Sequence, residues 1–444
     1  MAVPAPTAQL RSTRVSRRAA GALIAGMLSL SITSTLWSAV PVLAAPVLAW
    51  SSLALLWPGL SVQQRVQAVV FAAVGIAALW WGLGRGATLR IESVLGQNQA
   101  ILSMLASITL LRLLNPPLRA VETELPRGIG TYLRSMVGVH AFGAVINISA
   151  VIIMADRLAR AAPLTMPQAQ LLSRAFTAVA FYSPFIGGVA LALAYTPGSN
   201  PLLMMLFGVP LALLALLLLS WYARTGRVDD IENFRGYPMH LEGLWLPVVL
   251  ATAVLGASVL TSAYSVLSLI TMLTPLVVGG ALLVVGGLGG FRRSLSDYVS
   301  RRLPEMGGEL ALFLAAGVLG AGLVAAFGTE HGWIPFEHFD AFNGSLLLLV
   351  FPLTSLVCLH PVVIISVAAP LIGATGADPT LLAIVFTMGW GLACALNPMS
   401  GINLVLHTRY GVSNWTIGRS GIPFSATLYP VAVGLLYVYE LVFI

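Results

Sequence analysis

Apolar runs of about 18 to 25 residues recur from residue 19 to the end of the chain, the length an α-helix needs to cross the ~30 Å hydrocarbon layer of a bilayer. In hydrocarbon every backbone N–H and C=O must be satisfied internally, which leaves helices or closed barrels. Barrel strands would read as alternating segments of about 10 residues, and these runs do not alternate. Only 9% of the residues are charged and 58% are hydrophobic, against roughly 25% charged in soluble domains. The chain therefore reads as an all-α polytopic membrane protein.

The formal net charge of +7 is carried by arginine, since the chain has no lysine. In such a protein that excess reports topology and contact with membrane lipid headgroups, not nucleic acid. Two cysteines, Cys358 and Cys394, both in apolar context, indicate buried thiols and neither a disulfide framework nor a metal site.

Arginine placement orients the spans. Arg11, Arg14, Arg17 and Arg18 precede the first apolar run. Because more apolar helices follow, they read as the cytoplasmic anchor of a first span rather than as part of a leader peptide. With a basic cytoplasmic N-terminus over 1–18, the spans fall near residues 19–37, 40–57, 67–84 and 99–115, leaving Arg85 and Arg90 outside. A first transmembrane half covers 19–222, a cytoplasmic linker 223–243 and a second half 244–444. The linker carries Arg224, Arg227 and Arg235 with Asp229, Asp230 and Glu232, all read as solvated charges. Further spans are expected at 170–195, 200–222, 244–262, 265–288, 308–327, 380–406 and 422–442. The loop after residue 327, with Glu330, His331, Glu337, His338 and Asp340, has no arginine and reads as external.

Two apolar stretches have flanks of one kind at both ends. Residues 128–160 are bounded by cytoplasmic arginines and residues 342–372 by non-basic outer segments, so each reads as a re-entrant hairpin, with one ordinary span as the alternative for the first. Gly138, Gly143, Asn147 and Ser149 would form the first tip; Leu359, His360 and Pro361 the second. Backbone at a tip is tolerated only where it is buried in protein or lines an aqueous cavity. The resulting architecture is about 11 transmembrane helices plus two re-entrant hairpins, in two inverted repeats.

Inside the spans at 170–195 and 380–406 lie residues that break helices. Asn397, Pro398, Ser400, Gly401 and Asn403 interrupt the second; Ser183, Pro184 and Gly187 interrupt the first, with Ser183 and Asn397 separated by 214 residues and each followed by proline. Two broken helices at corresponding places of two halves mark a transporter's binding site. At such a break the freed helix N-terminus presents N–H groups and partial positive charge to an anion. The preceding carbonyls suit a small cation, and the hydroxyl and amide oxygens of Ser183, Asn397, Ser400, Asn403 and Asn147 could complete its shell without a fixed charge.

This pattern resembles the ion transporter superfamily, typified by the divalent anion:sodium symporters. The residues that carry the resemblance lie in 140–199 and 358–413. Asn147-Ile148-Ser149 is similar to a degraded form of the family's Ser-Asn-Thr tip, whereas the second tip carries His360-Pro361. Ser183-Pro184 and Asn397-Pro398 are similar to its broken-helix loops. The resemblance implies a homodimer and a substrate site enclosed by tips and breaks. It assigns a small anionic substrate to Asn147, Ser149, Ser183, Pro184, Gly187, His360, Pro361, Asn397, Pro398, Ser400 and Asn403. A coupling ion, Na+ or H+, would use Asn147, Ser183, Asn397, Gly401, His140 and His360; no other cofactor is implied.

No Asp or Glu lies in the middle of a span, which argues against a carboxylate proton relay. His140 and His360 are the titratable groups expected at the tips. Their bland reading is as hydrogen-bonded structural groups; His407, at a span end, reads as interfacial. The glycine-rich stretch 279–290 lacks the Gly-Lys-Ser/Thr of a phosphate loop and reads as close helix packing. Trp80, Trp81, Trp221, Trp245 and Trp333 read as an aromatic belt and Trp390, deeper, as packing or as a residue that lines the site. The expected function is a secondary transporter of a small organic or inorganic anion in a bacterial inner membrane, working by alternating access. The rivals are a proton-driven exporter of the same superfamily and a membrane-embedded enzyme acting on a lipid-linked substrate. No catalytic residues emerge from the sequence.

The topology yields a direct expectation. Single cysteines placed in the N-terminal segment and in the linker of intact cells will resist an impermeant maleimide, and one placed at His338 will react; the reverse pattern would invert the orientation.

Overall fold

The computed structural model describes residues 6–88, 90–114, 125–236, 245–261, 263–327, 338–373 and 375–444. The chain begins with α1 (Pro6–Leu36), α2 (Ala44–Leu56), α3 (Val62–Gly84), α4 (Ile91–Gly96) and α5 (Gln99–Thr109). Then come α6 (Ile129–Ile146), α7 (Ser149–Ala161), α8 (Met166–Thr177), α9 (Gly187–Tyr195), α10 (Pro201–Arg224) and α11 (Trp245–Leu260). The third group is α12 (Val266–Asp297), α13 (Gly307–Phe327), α14 (Ala341–Leu356) and α15 (Pro361–Gly373). The chain closes with α16 (Pro379–Leu396), α17 (Gly401–Tyr410), α18 (Asn414–Ser420) and α19 (Ile422–Phe443). The protein is an all-helical polytopic membrane protein, as its apolar runs require. Among the described residues eight helices are long and apolar enough to cross a membrane, and α14 and α15 are among several shorter apolar ones. Residues 266–327 form one nearly continuous run that contains two of the expected spans.

The chain divides into two compact units. One comprises Met1–Asn115 and Ala253–Trp333, the other Pro116–Thr252 and Ile334–Ile444. The units thus cut across the two sequence halves: the hairpins and broken helices of both halves belong to the second unit.

In the first unit α3 lies along α13 at backbone contact: a Cβ added at Gly75 would fall 2.6 Å from the Val318 carbonyl, and one at Gly82 2.3 Å from that of Ala325. Small residues let membrane helices approach this closely, with dispersion contacts and no hydrophobic driving force. The opposite face of α3 exposes Val66, Val69, Val70, Val74, Ile76 and Trp80, the composition of a surface wetted by lipid. Arg85, at the end of α3, lies 6.0 Å over the Trp81 ring, and short α4 follows. An arginine paired with an interfacial tryptophan is held at the membrane boundary irrespective of the inside rule.

In the second unit the helices α6, α7, α8 and α9 are repeated in kind and order by α14, α15, α16 and α17. Each broken helix is started by a side-chain cap. Thr165 and Gln168 form a reciprocal capping box at α8, and Asp378 accepts from Leu381 N–H at 2.6 Å at α16. The hydrogen bond from Tyr439 to Asp378 at 3.0 Å ties that start to α19. Asp340 caps α14 in the same way; Glu330, His331, Trp333 and Glu337 of the expected outer loop lie outside the described residues, as do positions 237–243 of the linker. In the α16–α17 stretch 94% of the most apolar window is buried, against 22% in α3, so this broken helix is the axis of its unit.

That axis is packed to backbone contact at one crossing. A Cβ on Gly188 would lie 2.1 Å from the Trp390 ring, so the indole of α16 occupies the volume a side chain on α9 would need. Gly188→Ala should therefore cost about 1–3 kcal/mol and lower the melting temperature of the purified protein, and Trp390→Leu should restore part of the loss. An unchanged melting temperature in Gly188→Ala would contradict this packing.

Candidate functional site

Proline sets the breaks. It cannot donate the hydrogen bond that would continue the helix, and it pushes the residue before it into extended backbone; Asn397 accordingly ends α16 at φ −80°, ψ 114°. The 18 residues of α16 and 10 of α17 span about 27 and 15 Å. Together they exceed the ~30 Å hydrocarbon thickness, so the break falls within it.

Ser183 and Asn397 make equivalent bonds. The Asn397 amide donates Nδ2–H to the Leu359 carbonyl at 2.9 Å, and its Oδ1 accepts from Met399 N–H at 2.8 Å. Ser183 Oγ donates to the Ala144 carbonyl and accepts from Phe185 N–H at 3.3 Å. Ala144 lies in the last turn of α6 and Leu359 in the turn after α14, while the N–H donors Phe185 and Met399 sit, like Ser183 and Asn397, 214 residues apart. Each break is thus clamped to its own hairpin tip by a single side chain that also closes the turn of the break. Short polar side chains favour this because their oxygens bond the backbone two residues on.

The first tip reinforces its clamp from the other side. Asn147, at φ 56°, donates Nδ2–H to the Phe185 carbonyl at 3.1 Å and accepts from Ile148 N–H at 2.7 Å. Ser149 is buried and opens α7. In the second tip the left-handed residue is Cys358, at φ 64°, and it is half-exposed rather than buried; Cys394 is buried, as expected. His360 is buried, with Nδ1 accepting from Val362 N–H at 3.2 Å, and Pro361 opens α15.

Three placements differ from the sequence reading. His140 is not at a tip. It sits within α6, about two turns before Asn147, with Nδ1 3.0 Å from the Ala175 carbonyl and Nε2 3.1 Å from Tyr182 Oη, because α6 runs on as a regular helix past Gly138 and Gly143. The oxygens of Asn147, Ser183 and Asn397, read as cation ligands, each accept from a backbone N–H, which takes one of the two acceptor positions of each. Asn403 is a tie rather than an open ligand: it donates to the Asn397 carbonyl at 2.9 Å and accepts from Ser173 Oγ at 2.7 Å, linking α17 to α8.

What remains open is the start of α17. Its cap residue Ser400 is 0% exposed and Oγ has no partner. No side chain caps the first turn, whose leading N–H groups have no intrahelical acceptor. Gly401 beside it is exposed, with free space where a Cβ would point. The start of α9, at half-buried Gly187 after buried Pro184, also lacks a side-chain cap. Trp390 connects the two regions: one part of its ring meets Gly188, and the indole stands edge-on to His360 with centroids 5.2 Å apart. Sequence reading left Trp390 as packing or site lining and passed over Gly188, Ser173 and Arg174. The usable signal was that Trp390 and Gly188 fall in the two broken spans, and that Arg174 stands in a helix without an acid.

No protein-family model matches the chain, and no curated protein matches it. Among solved structures it is similar to the Alcanivorax borkumensis YdaH transporter, with 16% identity, a TM-score of 0.38, and coverage of 85% of this chain and 87% of that one. It is also similar to Neisseria gonorrhoeae MtrF, described as illuminating a class of antimetabolite efflux pumps. The identity there is 13%, the TM-score 0.45, and the coverage 85% and 95%.

The Asn403 tie has a measurable weight. Asn403→Ala leaves the buried Ser173 hydroxyl without its acceptor and takes from the Asn397 carbonyl one of two donors, the other being Ser400 N–H, and should destabilise the protein by about 1–3 kcal/mol, read as a lower melting temperature. A melting temperature equal to wild type would remove the tie from the account.

Proposed function

We propose that the protein is a secondary transporter that moves a small organic or inorganic anion across a bacterial inner membrane by alternating access, driven by an ion gradient. The observation that carries this reading is the pair of equivalent clamps: two helices broken at Ser183-Pro184 and Asn397-Pro398, each bonded through Ser183 or Asn397 to the helix pair that precedes it. Discontinuous helices in corresponding positions are how membrane transporters expose helix termini to a substrate without exposing backbone to lipid. The uncapped α17 start, with the unpartnered Ser400 hydroxyl, suits a carboxylate, sulfonate or inorganic oxyanion. Gly401 lets the anion approach the backbone.

In this reading Asn397, Pro398, Ser400 and Gly401 form the anion seat, with the N-terminus of α9 as its counterpart in the first repeat. Asn147, His360 and Trp390 hold the geometry. The two repeats run in opposite directions, so either side can open to the same seat. The fold organisation supports membership of the ion transporter superfamily and, with it, a homodimer with a cytoplasmic N-terminus. The exporter reading shares every one of these features and differs in direction. The enzyme reading needs clustered acids or histidines within the membrane; among the described residues no three metal-capable side chains cluster, and His140 lies within α6 whereas His360 lies in the turn before α15.

The test is uptake by proteoliposomes loaded with carboxylates, sulfonates or oxyanions, with sodium and pH gradients imposed separately. Ser183→Ala and Asn397→Ala should each reduce counterflow at least about tenfold, a loss of ~1.4 kcal/mol in the rate-limiting state, with protein in the membrane at wild-type levels. Full activity in both variants would remove the clamps from the transport mechanism.

A further inference from the structure

Arg174 is the buried cation the site has not yet used. It lies in the broken helix α8, nine residues before Ser183, and is 8% exposed. One Nη2–H donates to the Ser420 carbonyl, the Phe424 ring lies 6.0 Å from the guanidinium carbon, and Nε has no partner. Among the described residues none of the ion pairs involves it. A buried arginine lacking a carboxylate is costly, and an apolar residue of similar size would pack the same space more cheaply. Within a membrane protein such a charge is a functional hypothesis by default.

Its place tells what it serves. Ser420 ends α18 and stands between Gly418 and Gly421, both pressed onto the end of α16. A Cβ on Gly418 would fall 2.7 Å from the Leu396 carbonyl oxygen and one on Gly421 2.3 Å from that of Ala395. Arg174 therefore reaches the α18–α19 junction, which is pressed onto the C-terminus of α16 behind the second break, and that terminus carries partial negative charge. Its neighbour Ser173 is bonded to Asn403, which is bonded to the Asn397 carbonyl, so α8 is fixed in register with that break.

The electrostatics of the break then have two sides. The α17 start attracts an anion, and the last carbonyls of α16 repel it. A coupling cation bound among those carbonyls would cancel the repulsion. Here the tip carbonyls of Ala144 and Leu359 already receive hydrogens from Ser183 and Asn397, which opposes a metal ion at the same oxygens.

We propose that Arg174 is a resident counter-charge that takes the electrostatic place of a coupling sodium ion at the second break, so that anion binding does not require sodium. The proposal rests on the anion-transport reading above. Arg174 is a positioning residue: it acts on the anion through the α16 terminus and does not touch it.

The experiment is a thermal-shift titration of the purified full chain in sodium chloride and in choline chloride at equal ionic strength, alone and with succinate, sulfate or benzenesulfonate. A ligand that binds the folded state raises its melting temperature in proportion to its occupancy. Sodium alone should give no saturable rise over choline, and a stabilising anion should show the same affinity in both salts within about twofold. R174Q should weaken that affinity by about tenfold or more, and R174K should retain most of it. A saturable, sodium-specific rise in wild type would overturn the proposal, as would unchanged anion affinity in R174Q. Should R174Q fail to fold, the wild-type salt comparison and R174K still decide. If none of the anions shifts wild type in either salt, the anion reading fails for these classes, and the sodium titration still judges the counter-charge.

Discussion

The hydrogen bond from the Asn397 amide to the Leu359 carbonyl, with its counterpart from Ser183 to Ala144, is the constraint on which the second unit depends. A helix broken inside a membrane leaves carbonyls and N–H groups that hydrocarbon cannot satisfy. A re-entrant hairpin has the same defect at its tip. Joining the two lets each defect satisfy the other, and one short polar side chain is enough to do it. Without the clamp both would be exposed polar backbone at membrane depth, each unmet group costing about 1–3 kcal/mol.

From that joint the rest of the unit follows. Trp390 can pack between Gly188 and His360 only because both breaks are held at fixed depth. Asn403 and Ser173 then tie the short arm of one broken helix to the long arm of the other. Among the buried polar atoms left without a partner, the Ser400 hydroxyl stands at the start of α17, beside a first turn that no side chain caps. An unmet polar group in a rigid surround is how a binding site for a polar ligand is pre-organised.

Much of this was legible in the chain. The apolar runs fixed an all-helical membrane protein, and the matched Ser-Pro and Asn-Pro pairs located both breaks. The paired helices α6–α7 and α14–α15 fall in the two apolar stretches whose flanks are of one kind at both ends. The use of the side chains was less legible. Asn147, Ser183 and Asn397 were read as cation ligands because their residue type permits it. Whether an amide oxygen faces an ion or the N–H two residues on depends on backbone angles that composition does not encode. His140 was placed at a tip because glycines flank it, yet an uninterrupted helix tolerates those glycines at a cost of about 1 kcal/mol each. The division into two units was invisible, because it cuts across both halves and depends on which helices pack together.

The central claim is that a small anion is held at the start of α17 by Ser400 and the first-turn N–H groups. The most direct measurement is a structure of the protein soaked with selenate or a brominated carboxylate, located by anomalous scattering. The account predicts a peak within hydrogen-bonding distance of Ser400 Oγ and the Gly401 N–H. Anomalous density confined to another part of the protein, in a preparation that still transports the anion, would contradict it.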